Sequence, residues 1–545
     1  MNKKKNKIIK LTSLENWQET PNSRGIIITY VLVFGTIFLI LFGGLVGFIL
    51  LQLRQASQKV AWNESLEIAE AGINYYRWCL NNEVEQNCLT EKDYLDPAGN
   101  LIGKFSLEVT SAASCGETIQ KKIISTGWTN DFPNVKRKIS VLYARESVAR
   151  FSYVLNNNVW VGSDHEIRGP YHSNGGIRMD GENQSLVTSA KEEWICTSSF
   201  DCCRWVYFGS PYYDYGWDCS QNCPASCTVN ATGTELVDDT PIKDECVCPG
   251  VFTTTANSSP DLFSFPVPPF DFTGITIDLA KIKKLTYQEG QGLYFGPSGQ
   301  KGYYIIFKED RSIDVWKVNS VNTIDNVCTV VGFKVICDDD QPCQPECPKC
   351  QSGKCVVHDP GFNPATGSKT FLGNYLIPDC GLVFFEDNLW VGNISQESKV
   401  KGKITVVSAD LINPGGKTDV WLQGDINYTA FDGSDGLAII AQHNNLIGLY
   451  SPDQMELRGI FIAQTGFFGR NYYSCPAYSP YCRRSKLEII GSVISDGRVG
   501  TQWGSGDSGY LNRESYFDSN LIYNPPTFVP YINPEFKIIT WEEVK

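Results

Sequence analysis

The pattern of hydrophobic and polar positions changes twice along the chain, and each change predicts a different kind of structure. Residues 26–51 form an uncharged apolar run, and residues 52–80 then place apolar side chains three and four apart among charged ones. That spacing is typical of an amphipathic α-helix. From residue 101 onward the apolar positions come in short runs separated by glycine, which predicts strands. The fold class predicted is α+β and mainly β, with one long N-terminal helix followed by a β-rich head.

The apolar run from Ile26 to Leu51 is long enough to anchor the chain in a membrane. Its 26 residues would reach about 39 Å as α-helix, against about 30 Å for the hydrocarbon core of a bilayer. Residues 1–25 carry six basic side chains and two acidic ones, a bias that keeps this end cytoplasmic. A cleaved secretory signal is the competing interpretation, but its apolar core is usually only about 7–15 residues long. We therefore predict a single-pass membrane protein with most of the chain outside the cytoplasm.

Charge and cysteine usage agree with an exported head. The 545 residues carry a net charge of −13, and nucleic-acid binding requires a basic surface, so no nucleic-acid partner is expected. All 20 cysteines lie between Cys79 and Cys482, after the apolar run. This distribution indicates an oxidising compartment and disulfide bonds.

The N-terminal segment resembles that of type IV pilins. The residues that carry the resemblance are Arg24-Gly25 before Ile26, the long apolar helix, and the tract Ala69–Ile73, and they look closest to the large minor pilins of the PilX N-terminal type. The resemblance implies that a prepilin peptidase cuts after Gly25 and leaves Ile26 as the new N-terminus. Major pilins carry a glutamate at the fifth mature position, where this chain has Tyr30, so it looks like a minor or tip subunit. An ordinary signal anchor preceded by a glycine is the alternative.

The composition of successive segments predicts five regions. They are a basic leader at 1–25, a transmembrane and amphipathic pilin-like helix at 26–80, a small β-rich pilin-like head at 81–150, a surface domain from 151–195 and 381–545, and a cysteine-rich insertion at 196–380. In the surface domain, strand–glycine–strand steps at irregular intervals favour a β-solenoid-like fold, with a twisted sandwich as the alternative. The insertion has little apolar periodicity, so disulfides rather than a core are expected to hold it.

Two local disulfides are predicted from spacing and context. Cys79 and Cys88 flank the first loop after the helix, and a bridge between them would fix that loop to the helix end. Cys475 and Cys482 enclose two prolines and fit a tight hairpin end.

A second cysteine cluster admits two kinds of site. Its members are Cys343, Cys347, Cys350 and Cys355. The spacing is close enough for a zinc knot or an iron–sulfur site. Outside the cytoplasm thiols tend to be oxidised, and Cys328, Cys337 and Cys380 offer partners, so disulfides are favoured. We expect no metal and no cofactor.

Motifs for catalysis are sparse, and no enzyme activity is predicted. The four histidines occur in unrelated contexts, and most of them are interpreted as surface or turn residues. The acidic segment Asp432–Gly436 is the best candidate for calcium binding or catalysis, although such a sequence more often forms a turn.

The predicted function is that of a membrane-anchored minor pilin or pseudopilin-like subunit of a type IV pilus or related filament. Its expected partners are the membrane, a prepilin peptidase, other pilin-like subunits and their assembly machinery. Aromatic residues between Tyr207 and Trp217 suggest adhesion, with surface glycans as a candidate ligand, and the alternative is a small packed core among disulfides. The alternative is a membrane-anchored β-solenoid carbohydrate-active enzyme or glycan-binding surface protein.

Overall fold

A computed structural model gives the fold. It describes residues 23–82, 84, 88–208, 215–237, 240–273, 278–325, 327–331, 334–337, 350–351, 354–355, 357, 359–504, 506–533 and 535–544. The chain forms two compact units. Of the residues described, the first unit takes those within Met1–Glu108, Ile124–Ser140 and Glu542–Lys545, and the second takes those within Val109–Ile123 and Val141–Trp541.

The first unit is built on one helix, α1, Ser23–Asn81. The stretch from Ile27 to Leu53 exposes its large apolar side chains on every face, with Ile40 74 % exposed. Toward the other end one face is buried, and Ala69 is 0 % exposed. Part of this helix, from Ile27 onward, is long and apolar enough to cross a membrane.

A sheet covers the buried face of α1. Its first four strands are β1 Lys92–Leu95, β2 Leu101–Ser114, β3 Glu117–Thr129 and β4 Lys136–Ala144. The helix and the sheet approach closely because the residues between them are small. A Cβ atom on Gly127 would lie 2.4 Å from the backbone nitrogen of Ala69, and one on Gly72 would lie 2.9 Å from the Phe105 ring.

The last strand of the chain completes this sheet. Lys537–Val544 lies beside β4, and the strand order is β1-β2-β3-β4 and then the last strand. Arg137 and Glu543 form an ion pair within the first unit. The sequence predicted residues 381–545 as part of the surface domain, and within this strand residues 537–541 belong to the second unit and residues 542–544 to the first. Residues 145–536 are therefore inserted between two strands that are neighbours in one sheet.

The second unit is dominated by short parallel strands. Those before the cysteine-rich region are β5 Tyr153–Leu155, β6 Val159–Val161, β7 His165–Arg168, β8 Tyr171–Ser173, β9 Ile177–Met179, β10 Glu182–Asn183 and β11 Val187–Ser189. The strands of that region are β12 Glu193–Cys196, β13 Arg204–Tyr207, β14 Tyr215–Asp218, β15 Thr228–Val237 and β16 Thr240–Pro249.

The middle of the chain contributes twelve further strands. They are β17 Val251–Phe252, β18 Phe263–Ser264, β19 Gly292–Phe295, β20 Gly302–Phe307, β21 Ser312–Val318, β22 Asn322–Ile324, β23 Val327–Val331, β24 Lys334–Cys337, β25 Cys350–Gln351, β26 Lys354–Cys355, β27 Asp359–Gly361 and β28 Lys369–Leu376. A short helix, α2 Leu279–Lys283, precedes β19 and continues into one π-helical turn.

The remaining strands follow in close succession. They are β29 Leu382–Phe385, β30 Leu389–Val391, β31 Ser398–Val400, β32 Lys403–Ser408, β33 Val420–Leu422, β34 Ile426–Tyr428, β35 Gly436–Ala441, β36 Asn445–Ile447, β37 Gln454–Ala463, β38 Phe468–Gly469, β39 Tyr472–Tyr473, β40 Arg483–Ser495, β41 Gln502–Trp503, β42 Ser508–Tyr516 and β43, the last strand described above. Two one-turn helices, α3 Cys475–Tyr478 and α4 Asn520–Tyr523, lie among them.

Ten of these strands form one continuous parallel stack. Its order is β18-β11-β8-β5-β40-β37-β35-β32-β29-β19, and each neighbouring pair is parallel. A second parallel series runs β20-β30-β33-β36-β38. The chain enters the stack at β5 and leaves it at β40, and these two strands are neighbours, with Tyr153 opposite Val493.

The core of the second unit lies between these sheets. Leu389, Val406, Leu437 and Phe461 are all fully buried in one large cluster. Strands covered on both faces are expected to be continuous apolar runs, and β35, Gly436–Ala441, is buried at all six positions.

The disulfide-rich insertion is smaller than the sequence analysis assigned. Within residues 196–380, β19 pairs with β29 and β20 pairs with β30, so both strands belong to the parallel stacks. The continuous buried run Gly302–Phe307 indicates that β20 belongs to a parallel sheet. This run lies between cysteine-rich segments, so the sequence alone did not reveal it. The disulfide-rich sheet itself is β12–β16. Its bridges are Cys196–Cys202, Cys203–Cys219, Cys223–Cys246 and Cys227–Cys248.

Candidate functional site

A cleft in the second unit combines aromatic and charged side chains. Its volume is about 510 Å³, within the range of roughly 300–1,000 Å³ that is usual for ligand sites. We call it the Trp160 cleft. Its lining comprises Tyr153, Val159, Trp160, Val161, Gly162, Ser163, Asp164, His165, Tyr171, Ser199, residues 498–504, Leu511 and Arg513.

Trp160 is the most exposed aromatic side chain of the cleft, and it is held in place. The alternation of β6 buries Val159 and Val161 and turns Trp160 outward, where it is 37 % exposed. Its indole N–H donates to Asp180 Oδ2 at 2.8 Å, and the Arg178 guanidinium lies over its ring at 4.2 Å. An aromatic wall fixed in this way loses little conformational entropy when a ligand packs against it.

Trp503 forms a second aromatic wall and is supported by a buried arginine. The Trp503 indole N–H donates to Arg470 O at 2.7 Å. The Arg470 guanidinium is fully buried and donates to Tyr481 O at 2.7 Å and Cys482 O at 3.1 Å. Cys482 is bridged to Cys475, so this disulfide is connected to Trp503 through Arg470.

A polar network in the lining joins β41 and β42 to the turn before β7. Arg513 donates to Asp164 Oδ1, and Gln502 donates to Asp164 Oδ2. Gln502 Nε2 also donates to Tyr510 O at 3.1 Å. Each carboxylate oxygen accepts more than one hydrogen bond, so Asp164 retains acceptor capacity toward a ligand hydroxyl.

His165 and Tyr153 share one hydroxyl at the buried side of the cleft. Ser515 Oγ lies 2.9 Å from His165 Nε2 and 2.8 Å from the Tyr153 hydroxyl. Burial lowers the pKa of His165 well below its usual value, and Arg513 adds to the effect. Burial also raises the pKa of Tyr153 to about 12. Both side chains are therefore neutral near pH 7, and Ser515, which is 2 % exposed, lies behind the lining.

Two polar groups of the lining have no partner within the described part of the chain. The Arg498 guanidinium contacts the Phe200 ring at 5.3 Å, and no carboxylate or carbonyl there pairs with it. Burial lowers the pKa of Arg498, but arginine remains charged at neutral pH. The Tyr171 hydroxyl belongs to a side chain that is 1 % exposed, and only aromatic and electrostatic contacts reach it. A polar ligand in the cleft could form hydrogen bonds with both of these groups.

Acidification is expected to destabilise the second unit through His165. A histidine held neutral by burial contributes stability above its unfolded-state pKa of about 6.5, and this contribution is lost as pH falls below that value, by up to about 2 kcal/mol at pH 5. The measurement is the free energy of unfolding of the full chain in detergent at several pH values. His165→Gln, which keeps a hydrogen-bonding group near Ser515, should flatten the profile between pH 6.5 and 5. Parallel profiles for the two proteins would contradict the expectation.

The residues singled out in the sequence analysis are distributed over both units. Gly25 and Ile26 lie in α1, and Leu51 is one of its exposed apolar residues. Cys79 is bonded to Cys88 with an S–S distance of 2.02 Å, and Cys475 is bonded to Cys482 at 2.05 Å. The second bridge encloses the one-turn helix α3 rather than a hairpin end.

The proposed metal cluster is only partly covered by the structure. Cys343 and Cys347 lie outside the described residues, and Cys350 and Cys355 are described only as backbone partners in a two-stranded sheet. Cys328 and Cys337 are bonded to each other, and Cys380 is bonded to Cys115.

The acidic loop Asp432–Gly436 is a hydrogen-bonded turn. Asp435 accepts from the backbone N–H of Gly402 at 2.6 Å and from the Thr429 hydroxyl at 2.6 Å. Asp432 accepts from the Ser434 hydroxyl at 2.6 Å. Asp432 therefore stabilises the turn itself, and Asp435 joins the turn to Gly402 and Thr429.

The histidines correct an expectation from the sequence. His165 and His172 are buried, not surface residues, and His172 Nδ1 lies 2.8 Å from the Thr188 hydroxyl. His443 Nδ1 lies 2.8 Å from Asp419 Oδ1. His358 lies outside the described residues.

The aromatic residues expected to mediate adhesion lie on a hairpin formed by β13 and β14. Trp205 packs against Trp217 at 5.1 Å and Tyr207 against Tyr215 at 5.1 Å, and three of these rings are more than half exposed. Tyr212 and Tyr213 lie outside the described residues.

The sequence analysis did not identify the Trp160 cleft. None of Trp160, Arg498 and Arg513 was among the candidate site residues predicted from the sequence. The available signal was the outward tryptophan in Val159-Trp160-Val161, but residues more than 300 positions apart meet in the cleft because β42 pairs with β7.

The chain has a distant structural neighbour among solved structures. No family model matches the chain, and no curated protein matches it. Among solved structures, the chain is similar to the competence-associated pilin ComZ from Thermus thermophilus, with 13 % sequence identity and a TM-score of 0.27, over 89 % of this chain and 97 % of that chain. A likeness at this level does not carry the functional argument, which rests on the helix, the sheets and the cleft.

Proposed function

We propose that this chain is a membrane-anchored, pilin-like surface subunit of a type IV pilus or a related filament. The observation that carries the proposal is the division of α1 into two halves. The half from Ile27 to Leu53 exposes apolar side chains on every face, whereas the half around Ala69 is buried against the sheet of its own unit. A bare apolar half requires lipid or a bundle of like helices to cover it. Pilin-like subunits and the membrane are the partners that fit this requirement.

The basic leader supports one orientation in the membrane. Residues 1–25 carry six basic and two acidic side chains, and the positive-inside tendency places them in the cytoplasm. The disulfides then form in an oxidising compartment outside it, where such bonds persist. The two local bridges and the four bridges of the β12–β16 sheet are consistent with this location.

We further propose that the parallel stacks are coils of a β-solenoid-like head inserted into the pilin-like unit. Successive strands of the stack pair residue by residue, as Ala438 with Ile460 and Leu457 with Ile489. Each coil buries its apolar face against the next, which is how solenoids are stabilised.

Processing of the N-terminus tests the pilin assignment. In cells with an active prepilin peptidase, the mature chain isolated from membranes is expected to begin at Ile26, as read from the mass of its N-terminal peptide. Gly25→Leu should block the cut and leave the leader attached. Gly35→Leu is a matched control in the same helix, where a Cβ would meet no atom within 4 Å, and it should be processed normally. A wild-type chain that still begins at Met1 would refute the assignment in favour of a plain signal anchor.

Glycan binding is the second candidate function, and the Trp160 cleft favours it over catalysis. Asp432 and Asp435, the acidic residues first considered for catalysis, both accept structural hydrogen bonds, Asp432 from Ser434 and Asp435 from Gly402. The Ser515 hydroxyl beside His165 is buried behind the lining. We propose that the head binds its ligand without turnover.

A further inference from the structure

The Trp160 cleft has the size and the walls to hold sugar rings. A volume of about 510 Å³ accommodates a ligand of one or two rings. Trp160 and Trp503 are both fixed by hydrogen bonds from their indole N–H groups. Fixed aromatic faces offer apolar contact area at low entropic cost, and Asp164 and Gln502 add polar groups to the same lining.

The charge balance of the cleft favours an anion. Its lining contains two guanidinium groups, Arg498 and Arg513, and one carboxylate, Asp164. Arg513 is paired with Asp164, whereas Arg498 has no acidic partner in the described part of the chain. One positive charge is therefore left over in a chain whose net charge is −13. A guanidinium in a partly dry site binds a planar carboxylate well because two parallel hydrogen bonds are possible.

We propose that the Trp160 cleft binds an acidic sugar, a pyranose that carries one carboxylate, with the carboxylate on Arg498 and the ring against Trp160. The proposal deepens the glycan-binding part of the proposed function. Asp164 accepts hydrogen bonds from ring hydroxyls, and the unpartnered Tyr171 hydroxyl provides a further polar contact. The carboxylate of Asp164 also disfavours a ligand with several adjacent negative charges, which argues against a polyphosphate.

The disulfide-rich insertion provides one side of this site. Ser199 lines the cleft and Phe200 contacts Arg498. Both belong to the short turn Ser198–Phe200, which the Cys196–Cys202 bridge closes. The insertion thus positions the neighbours of Arg498 and is expected to limit which sugars fit.

Direct binding measurements on the purified full chain in detergent test the proposal. The probes are digalacturonate, a glucuronate disaccharide, a mannuronate disaccharide and sialyllactose, followed by calorimetry and by tryptophan fluorescence. At least one of these acids is expected to bind, and its methyl ester, which lacks the charge, should bind at least tenfold more weakly. Arg498→Gln should also weaken binding at least tenfold, whereas Arg498→Lys should retain part of it.

Two controls separate loss of the site from loss of the fold. Arg204→Gln changes an exposed arginine on β13 that does not line the cleft, and it should bind the acidic sugar as the wild type does. Trp160→Phe should weaken binding without changing the preference for the acid over its methyl ester. Failure of all four acids to bind, equal binding of acid and ester, or unchanged binding by Arg498→Gln would overturn the proposal. None of these results depends on N-terminal processing, so the binding experiment and the processing experiment test the two proposals independently.

Discussion

Replacing Gly491 with alanine is expected to destabilise the second unit more than any other single substitution we consider. Gly491 in β40 pairs with Gly459 in β37, and both have positive φ angles, +140° and +148°. A Cβ atom on Gly491 would lie 1.9 Å from the carbonyl oxygen of Gly459. The conflict is with backbone in the centre of the parallel stack, so a side-chain shift cannot relieve it. We expect a loss of about 3–5 kcal/mol in the free energy of unfolding.

A denaturant titration of the full chain in detergent, followed by tryptophan fluorescence, measures this loss. Gly296→Ala is the matched control, because its nearest neighbours are Tyr294 ring atoms at 3.7 Å and its φ is ordinary. That variant should differ from the wild type by less than about 1 kcal/mol. Equal stabilities of the two variants would show that the Gly459–Gly491 contact does not constrain the stack.

The elements defined by local pattern were predictable from the sequence. The helix α1 follows from an unbroken apolar run and then a spacing of three and four, which depend only on neighbouring residues. The Cys79–Cys88 and Cys475–Cys482 bridges join cysteines nine and seven residues apart. For such pairs, proximity in the chain nearly ensures proximity in space.

The domain boundaries that the sequence did not reveal depend on pairing between strands far apart in the chain. The last strand of the chain, Lys537–Val544, pairs with β4 although its residues are mostly exposed. The stack also lacks a fixed period: Ala438 pairs 22 positions on with Ile460, whereas Leu457 pairs 32 positions on with Ile489. Loops of different length between the strands of the stack obscure the spacing that would have located β19 and β20 within the parallel series.

The Trp160 cleft depends on the same long-range pairing. Arg513 and His165 are neighbours because β42 lies beside β7, and Arg498 reaches the lining from the segment after β40. No spacing rule brings these residues together. Sequence patterns therefore pointed to the aromatic hairpin, whose members are close in the chain, and missed the cleft.

The second large effect is expected on removing the disulfide between Cys115 and Cys380. This bridge joins the turn between β2 and β3 to the segment before β29, both within the second unit, and its cysteines are 265 residues apart. A bridge stabilises mainly by restricting the unfolded chain, and the restriction grows with the length of the closed loop. On that basis Cys115→Ala combined with Cys380→Ala should lower the free energy of unfolding by about 5.5 kcal/mol.

The matched control is Cys475→Ala with Cys482→Ala, which opens a bridge whose cysteines are only seven residues apart. The same calculation gives a loss of about 2 kcal/mol for this pair. Both double variants are compared with the wild type by denaturant titration under non-reducing conditions. The ratio of the two losses is the informative quantity, because it depends on loop length and not on the chemistry of the substitution. Equal losses of unfolding free energy in the two double variants would contradict this expectation. They would mean that residual structure in the unfolded chain already holds Cys115 near Cys380, even without the bridge.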